Sequence, residues 1–386
     1  MDYSLTEEQL MFRSAIQGFL KTEWTSEAMK EAWDSKNDYP LEIYRKMGKL
    51  GWLGLTIPES YGGMGLGWIE TSILYEELGR VLLNSSLLSP VILTVQAILM
   101  VSDEKQRNEL LPKIAAGELV LAWACGESDV SYNLDMLNTK AVALDNQFHI
   151  NGQKLFVHNM KWADHIVTIA KVADESCHFD TLGIFLVDVK SHGLSYELMD
   201  GIDGDELAEV NYKDVVVSQD AFIGKANNIK DIINIIDKMK IAYSAEMVGG
   251  AERALEIAIA YSNTRMQFGK LLGSFQAIQH KLATATILID RSRWLSYYAA
   301  YLCMQDFNCT AEINMAYLAS NEAYRITSTD GAQIYGGHGC MCSYDIGRHY
   351  KRAKAMQLEL EPSYVSKERI AQTLEEKGAH YGIQIY

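Results

Sequence analysis

Apolar residues recur three and four positions apart from the start of the chain to about Gly117, in LTEEQLMFRSAIQGFLKTEW, LEIYRKMGKLGW, TSILYEELGRVLL and EKQRNELLPKIAAG. That spacing predicts amphipathic helices. One stretch breaks it: LTIPESYGGMGLG, with Pro58, Gly62, Gly63, Gly65 and Gly67, predicts a loop that lets a ligand or another backbone come close. Between Glu118 and about Lys225 the period shortens to two, in FHINGQKLFVHN, HIVTIAKV, LGIFLVDV and VNYKDVVV. These are strands, and Asn151-Gly152 is expected to be a hairpin turn. From Ile229 the helical period returns in long segments, and none of the 5 prolines lies between Ala116 and Glu361 to interrupt them. The layout predicts an α+β protein: a helical N-terminal domain over 1–117, a β-domain over 118–228 and a four-helix-type bundle over 229–386.

The chain has 386 residues, 48% apolar and 22% charged, which is the composition of a folded globular protein. Its 35 Lys+Arg against 50 Asp+Glu give a net charge of −15, which repels a duplex phosphate backbone or an anionic membrane surface and argues against nucleic-acid binding. No apolar run reaches the roughly 20 residues needed to span a bilayer, and MDYSLTEEQL carries acids where a signal peptide is basic and then apolar. A cytoplasmic protein with no membrane partner is expected. Its six cysteines, Cys125, Cys177, Cys303, Cys309, Cys340 and Cys342, form no CxxC pair, so reduced thiols are expected and a metal site is not.

Three segments carry candidate chemistry. Thr264-Arg265-Met266-Gln267-Phe268-Gly269 follows a helix, with Gln276 and Gln279 on the next. Its guanidinium and aromatic ring suit a diphosphate and a flat ring system, although a polar helix terminus also explains it. Gln333-Ile334-Tyr335-Gly336-Gly337-His338-Gly339 reads either as a glycine turn offering N–H groups to an anion or as a simple connection between helices. Trp123, Glu127 and Ser128, with the Gly152–Asn159 segment, offer aromatic rings and polar donors on adjacent strands, as a wall for a heterocycle or as core packing.

In this order the pieces resemble the acyl-CoA dehydrogenase family over nearly the whole chain. GWLGLTIPESYGGMGLG looks like its N-terminal PE-x-x-GG-x-G loop, and GQKLFVHNMKWAD like its β-domain hairpin. AEMVGGAERALEIAIAYSNTRMQFGKLLGSFQAIQHKLA resembles its R-x-QFG…FQ-x-[IL]-Q signature, and QIYGGHGCMCSYDIGRHYKRAKAM its Q-x-x-GG-x-G segment. The resemblance implies a three-domain fold, one FAD per subunit and α,β-dehydrogenation of an acyl thioester. Arg265 and Phe268 match FAD-contacting residues, Gln276 an adenine-side Gln, and Gln333, Gly336 and Gly337 a diphosphate loop serving a neighbouring subunit's flavin. Trp123, Cys125, Gly126, Phe156 and His158 match positions that meet the isoalloxazine. Gly126 and His158 depart from the family's hydroxyl residues, removing a hydrogen bond worth about 1 kcal/mol.

The larger departure concerns the base that removes the α-proton. Alignment through Arg352 and Arg369 puts Leu360 at the family's catalytic Glu, and the family's other base position falls on Met239. The nearby acids Glu359 and Glu361, and Glu246 two helical turns after Met239, are the candidate bases, or else solvated or packing acids. Three functions remain open. The chain is a dehydrogenase with a displaced base, a non-catalytic or co-catalytic flavin-binding subunit of a hetero-oligomer, or a catalyst of another flavin-dependent reaction on an acyl thioester. The resemblance further implies an acyl-CoA or acyl-carrier-protein substrate, an electron-transfer flavoprotein as acceptor, and a homotetramer or a heterotetramer with a paralogue.

Overall fold

Thr6 opens the first helix by accepting a hydrogen bond from Gln9 N at 3.2 Å, while its own N–H donates to Gln9 Oε1 at 3.0 Å, a reciprocal cap. The computed structural model describes residues 5–35, 39–83, 85–127, 134–173, 181–226, 229–305, 307–341 and 343–380. Before the sheet come α1 (Glu7–Glu23), α2 (Ser26–Ser35), α3 (Tyr39–Lys49), α4 (Trp68–Arg80), α5 (Ser89–Val101) and α6 (Glu104–Ala115). The strands are β1 (Leu121–Ala124), β2 (Lys140–Leu144), β3 (Gln147–His158), β4 (His165–Ala173), β5 (Thr181–Asp188), β6 (Leu194–Asp200), β7 (Glu206–Ser218) and β8 (Phe222–Ala226). After α7 (Ile229–Ser262) a small hairpin, β9 (Met266–Gln267) and β10 (Lys270–Leu271), leads to α8 (Gln276–Met304), α9 (Thr310–Tyr335), α10 (Asp345–Met356) and α11 (Ser363–His380). No described helix is long and apolar enough to cross a membrane.

Two compact units emerge. The first takes Met1–Trp33, Gly67–Ser85 and Lys240–Tyr386. Here α4 crosses α7 at backbone contact: a Cβ on Gly79 would lie 2.0 Å from Glu246 O, and one on Gly249 1.8 Å from Glu76 O, so only glycine fits at either position. A half-buried ion network ties the same helices. Glu76 accepts from Arg13 Nη2 at 3.0 Å, Arg293 Nε at 3.2 Å and Tyr297 OH at 2.8 Å, while Arg293 reaches Glu252 at 2.8 Å and Arg80 reaches Glu256 at 2.6 Å. Each cation faces more than one acid, which offsets the desolvation that burying these groups requires.

The second unit takes Asp34–Leu66 and Ser86–Met239. Its sheet runs in the order β6-β7-β3-β2-β4-β5-β8, with β1 alongside β4. Strands β1 and β2 run parallel to β4, and the other pairs are antiparallel. Phe148, Phe185 and Phe222 pack with ring centroids 5.0 to 5.1 Å apart at its core.

One expectation is corrected here. The β2–β3 turn is not Asn151-Gly152, which lies inside β3 opposite Tyr212 and Lys140; it is Asp145-Asn146, with φ of 50° and 61°. Both residues are left-handed, the geometry of a tight two-residue hairpin, and Asp and Asn tolerate it. TRMQFG begins at the end of α7, where Arg265 N donates to Tyr261 O at 2.9 Å, and runs on into the β9–β10 hairpin, whose tip is Phe268-Gly269 with φ of 52° and 79°.

Strand β3 also carries a bulge. Its pairing with β7 shifts between Lys154 and Val157, and Phe156 takes a left-handed φ of 57°. The extra residue inverts the alternation: Lys154 and Val157 are buried, whereas Phe156 is 61% exposed.

Candidate functional site

The β-unit presents Trp123 half-buried at the end of β1, followed by half-buried Cys125 and exposed Gly126. Desolvation pushes the Cys125 thiol's pKa up, against the opposing pull of the Lys154 ammonium. Leu155 N donates to Gly126 O at 3.0 Å, so the segment leaving β1 is held against the bulge that projects Phe156. Half-buried His158, next on that edge, has its Nδ1 3.8 Å from Asp205 Oδ2. Trp123, Cys125, Gly126, Phe156 and His158 therefore gather along β1 and β3. Ser128 lies outside the described residues.

In the helical unit, Arg265 leaves α7, and its exposed guanidinium makes no hydrogen bond or ion pair with any described residue. Phe268 stands 91% exposed at the hairpin tip. Gln276 begins α8 and Gln333 lies in the last turn of α9, both exposed. Gly336 ends α9 with φ of 60°, and a Cβ on either Gly336 or Gly337 would meet nothing within 4 Å. The two segments share one end of the unit: Tyr261 stacks on Tyr335 at 3.8 Å, and its hydroxyl lies 3.2 Å from His338 Nδ1.

The three candidate bases differ sharply in their surroundings. Glu361 is 2% exposed and has both oxygens occupied: Oε1 accepts from Lys240 Nζ and Ser366 Oγ, each at 2.5 Å, and Oε2 pairs with Arg369 Nη1 at 2.9 Å. Lys240 is itself fully buried and also donates to Asn314 Oδ1 at 2.7 Å. Glu246 Oε1 receives two hydrogen bonds from Arg352, from Nε at 2.9 Å and Nη2 at 2.8 Å. The same guanidinium donates through Nη1 to Glu359 Oε1 at 2.5 Å, leaving Glu359 Oε2 buried with no hydrogen-bond partner among the described residues. Leu360 between them is half-buried.

Sequence reasoning used Arg352 and Arg369 only as alignment anchors, and Lys240 not at all. The sequence signal for Lys240 is its place between Met239 and Ile241 in the mostly apolar segment KMKIAYSAEMVGGA, where a lysine calls for a partner once buried. Among the described residues no group of three or more His, Cys, Asp or Glu is placed to hold a metal. Cys125, Cys303, Cys309 and Cys340 carry no disulfide, and Cys177 and Cys342 lie outside the described residues.

A dinucleotide with an anionic diphosphate and two flat rings suits these donors. A guanidinium with no partner among the described residues, an exposed ring on a left-handed hairpin tip and a glycine pair facing open space suit such a ligand. Comparison with known proteins gives the same answer. The family models for the acyl-CoA dehydrogenase N-terminal, middle and C-terminal domains match residues 6–118, 122–215 and 229–374. An acyl-CoA dehydrogenase of Bacillus subtilis is 30% identical over 92% of this chain and 94% of its own length. The caffeyl-CoA reductase–Etf complex subunit CarC of Acetobacterium woodii shows the same identity and the same coverage of both chains. The structure of butyryl-CoA dehydrogenase from Megasphaera elsdenii superposes with a TM-score of 0.88 at 26% identity, covering 97% of this chain and 100% of that one. With the three domain models in order and the helix–sheet–helix architecture they require, this chain belongs to the acyl-CoA dehydrogenase family of FAD-dependent oxidoreductases.

Proposed function

We propose that the chain removes a hydrogen pair from the α and β carbons of an acyl thioester, with Glu359 taking the α-proton. The observation that carries this reading is the asymmetry of the carboxylates. Glu361 has three partners on its two oxygens, whereas Glu359 keeps Oε2 buried and unpartnered beside the family's base position. A base needs a free oxygen within reach of the proton it accepts. When bound, FAD supplies the acceptor for the two electrons that leave with the β-hydrogen. Arg265 anchors its diphosphate, Phe268 contacts it and Gln276 serves its adenine side, while Gln333, Gly336 and Gly337 form the diphosphate loop for the flavin of a neighbouring subunit. Trp123, Cys125, Gly126, Phe156 and His158 line the ring system of the chain's own FAD. The proton balance closes on Glu359, which becomes the neutral acid and must release its proton before the next turnover.

A second reading rests on Arg352. That guanidinium binds both Glu246 and Glu359, so two of the three candidate acids share one cation. This favours a chain that binds flavin jointly with a catalytic paralogue. In either case the assembly is a tetramer, homomeric or mixed. Its support is the exposed apolar surface of α8 and the hairpin, where Ile287 is 68%, Trp294 51% and Phe268 91% exposed. The protein is cytoplasmic, divides at 117/118 and 228/229, takes an acyl-CoA or acyl-carrier-protein substrate, and passes electrons to an electron-transfer flavoprotein. The name of the Acetobacterium relative, a subunit of an Etf complex, supports that last step.

The test is anaerobic mixing of the FAD-loaded chain with a panel of acyl-CoAs while following the oxidised flavin band at roughly 450 nm. Bleaching by the chain alone supports the first reading. Bleaching only beside a co-expressed paralogue supports the second. Light scattering at micromolar concentration reads the oligomer, and a flavin-loaded monomer defeats the tetramer.

A further inference from the structure

Lys154 lies on the inward face of β3 with none of its side chain exposed. A buried ammonium needs compensation, because leaving water costs several kcal/mol per ion. Desolvation accordingly pushes its pKa down. The compensation comes from the segment that leaves β1: Lys154 Nζ donates to Glu127 Oε1 at 2.8 Å and to Cys125 O at 3.1 Å.

Glu127 is 6% exposed and serves two further donors, Asn138 N on Oε2 at 2.6 Å and Thr139 N on Oε1 at 3.0 Å. Desolvation opposes its ionisation, but the Lys154 charge and these hydrogen bonds outweigh it and hold the carboxyl below its ordinary range. With Leu155 N on Gly126 O, the three residues 125–127 are pinned through two carbonyls and one carboxylate. None of the backbone N–H groups of Cys125, Gly126 or Glu127 takes part in this latch. Directly after Lys154 the bulge begins that turns Phe156 outward in its left-handed conformation. One buried ion pair therefore fixes both the exit of β1 and the start of the bulge.

We infer that the Lys154–Glu127 pair positions the flavin-facing wall, holding the Cys125–Glu127 backbone and the Phe156 ring in the geometry that receives the isoalloxazine. The inference rests on the proposed placement of the flavin ring on β1 and β3. Neither residue touches the reacting atoms. Both act through the backbone they hold, so the effect falls on the ring's environment more than on the diphosphate.

The experiment uses the full chain, stripped of flavin and reconstituted with FAD. The variants are Glu127→Gln, which keeps shape and most hydrogen bonds, and Lys154→Met with Glu127→Gln, which removes both charges together and leaves no lone buried ion. Circular dichroism and thermal melting establish folding. Fluorescence titration then gives the FAD dissociation constant, and the visible absorption of bound flavin reports the ring's surroundings. The expected result for folded double variant is FAD binding weakened about tenfold, with a shifted visible band. Arg265→Ala weakens binding while leaving that band unshifted. A folded double variant with unchanged affinity and an unchanged band overturns the proposal.

Should the double variant not fold, Glu127→Gln and hydrogen exchange on the wild type decide. FAD must slow exchange at residues 121–127 and 153–158, and unprotected amides there in a chain that binds FAD overturn the proposal. A wild-type chain that binds no FAD defeats the underlying functional reading, and this proposal with it.

Discussion

Replacing Glu359 and Glu361 singly by Gln should give opposite signatures, because the two carboxylates sit in opposite surroundings. Among the described residues Glu359 accepts one hydrogen bond, from Arg352, and that guanidinium keeps Glu246 as a counter-ion when Glu359 is neutralised. Its substitution should therefore cost little stability, about 1 kcal/mol for one altered hydrogen bond. The α-proton, however, loses its acceptor, and removal of a general base slows proton transfer by about 10²–10⁴-fold. For Glu361 the order reverses. Its loss strips the counter-charge from fully buried Lys240 and from Arg369, and breaking a buried pair in this way costs about 3–5 kcal/mol. That variant should melt several degrees lower, yet retain flavin reduction at temperatures where it stays folded. The assay is stopped-flow bleaching of the FAD-loaded protein by acyl-CoA under anaerobic conditions, with a thermal melt of each variant alongside. Wild-type bleaching by Glu359→Gln refutes the assignment of the base. A Glu361→Gln chain of wild-type stability that no longer bleaches refutes it from the other side, since it makes the locked carboxylate the reacting one.

Arg265→Ala removes a guanidinium with no partner among the described residues, so it should leave the melting temperature unchanged while weakening FAD about 10- to 100-fold, read by titration of apoprotein. Phe156→Gly should relieve a left-handed aromatic residue costing about 1 kcal/mol; apoprotein of equal or higher stability with weaker flavin binding is expected, and a large loss of stability counts against functional strain at the bulge. His349, buried with Nδ1 2.9 Å from the Tyr324 hydroxyl, has its pKa pushed down to about 3 by desolvation and by the nearby Arg253 and Arg80. Its folded pKa lies below the unfolded one, so the unfolded chain gains the extra proton as pH falls. Stability should therefore drop by up to about 1.4 kcal/mol per pH unit below roughly 6.5. His349→Gln should flatten that slope, and parallel stability–pH curves for variant and wild type would contradict it.

Much of the architecture is legible in the sequence because it is local. The change of hydrophobic period marks helix, sheet and helix, and the absence of proline between Ala116 and Glu361 lets α7, α8 and α9 run long. The family motifs likewise name Arg265, Phe268 and the Gly336-Gly337 turn, but that Phe268 stands exposed and that both glycines face open space is read only from the folded chain. What the sequence misplaces are choices between equivalent local signals. Asn151-Gly152 and Asp145-Asn146 both suit a tight turn, and pairing of β3 with β2 and β7 through the former leaves the latter to turn. The bulge at Phe156 is another such choice, made where buried Lys154 is followed by buried Val157 and strict alternation cannot satisfy both. The identity of the base is a tertiary matter altogether. Glu359 and Glu361 are two residues apart and equally acidic on paper, yet Lys240, 121 positions before Glu361, reaches only one of them, and Arg352 reaches the other. Charge pairing in a low-dielectric interior depends on distances between remote segments, so only the folded chain decides which carboxylate is locked and which keeps an oxygen open.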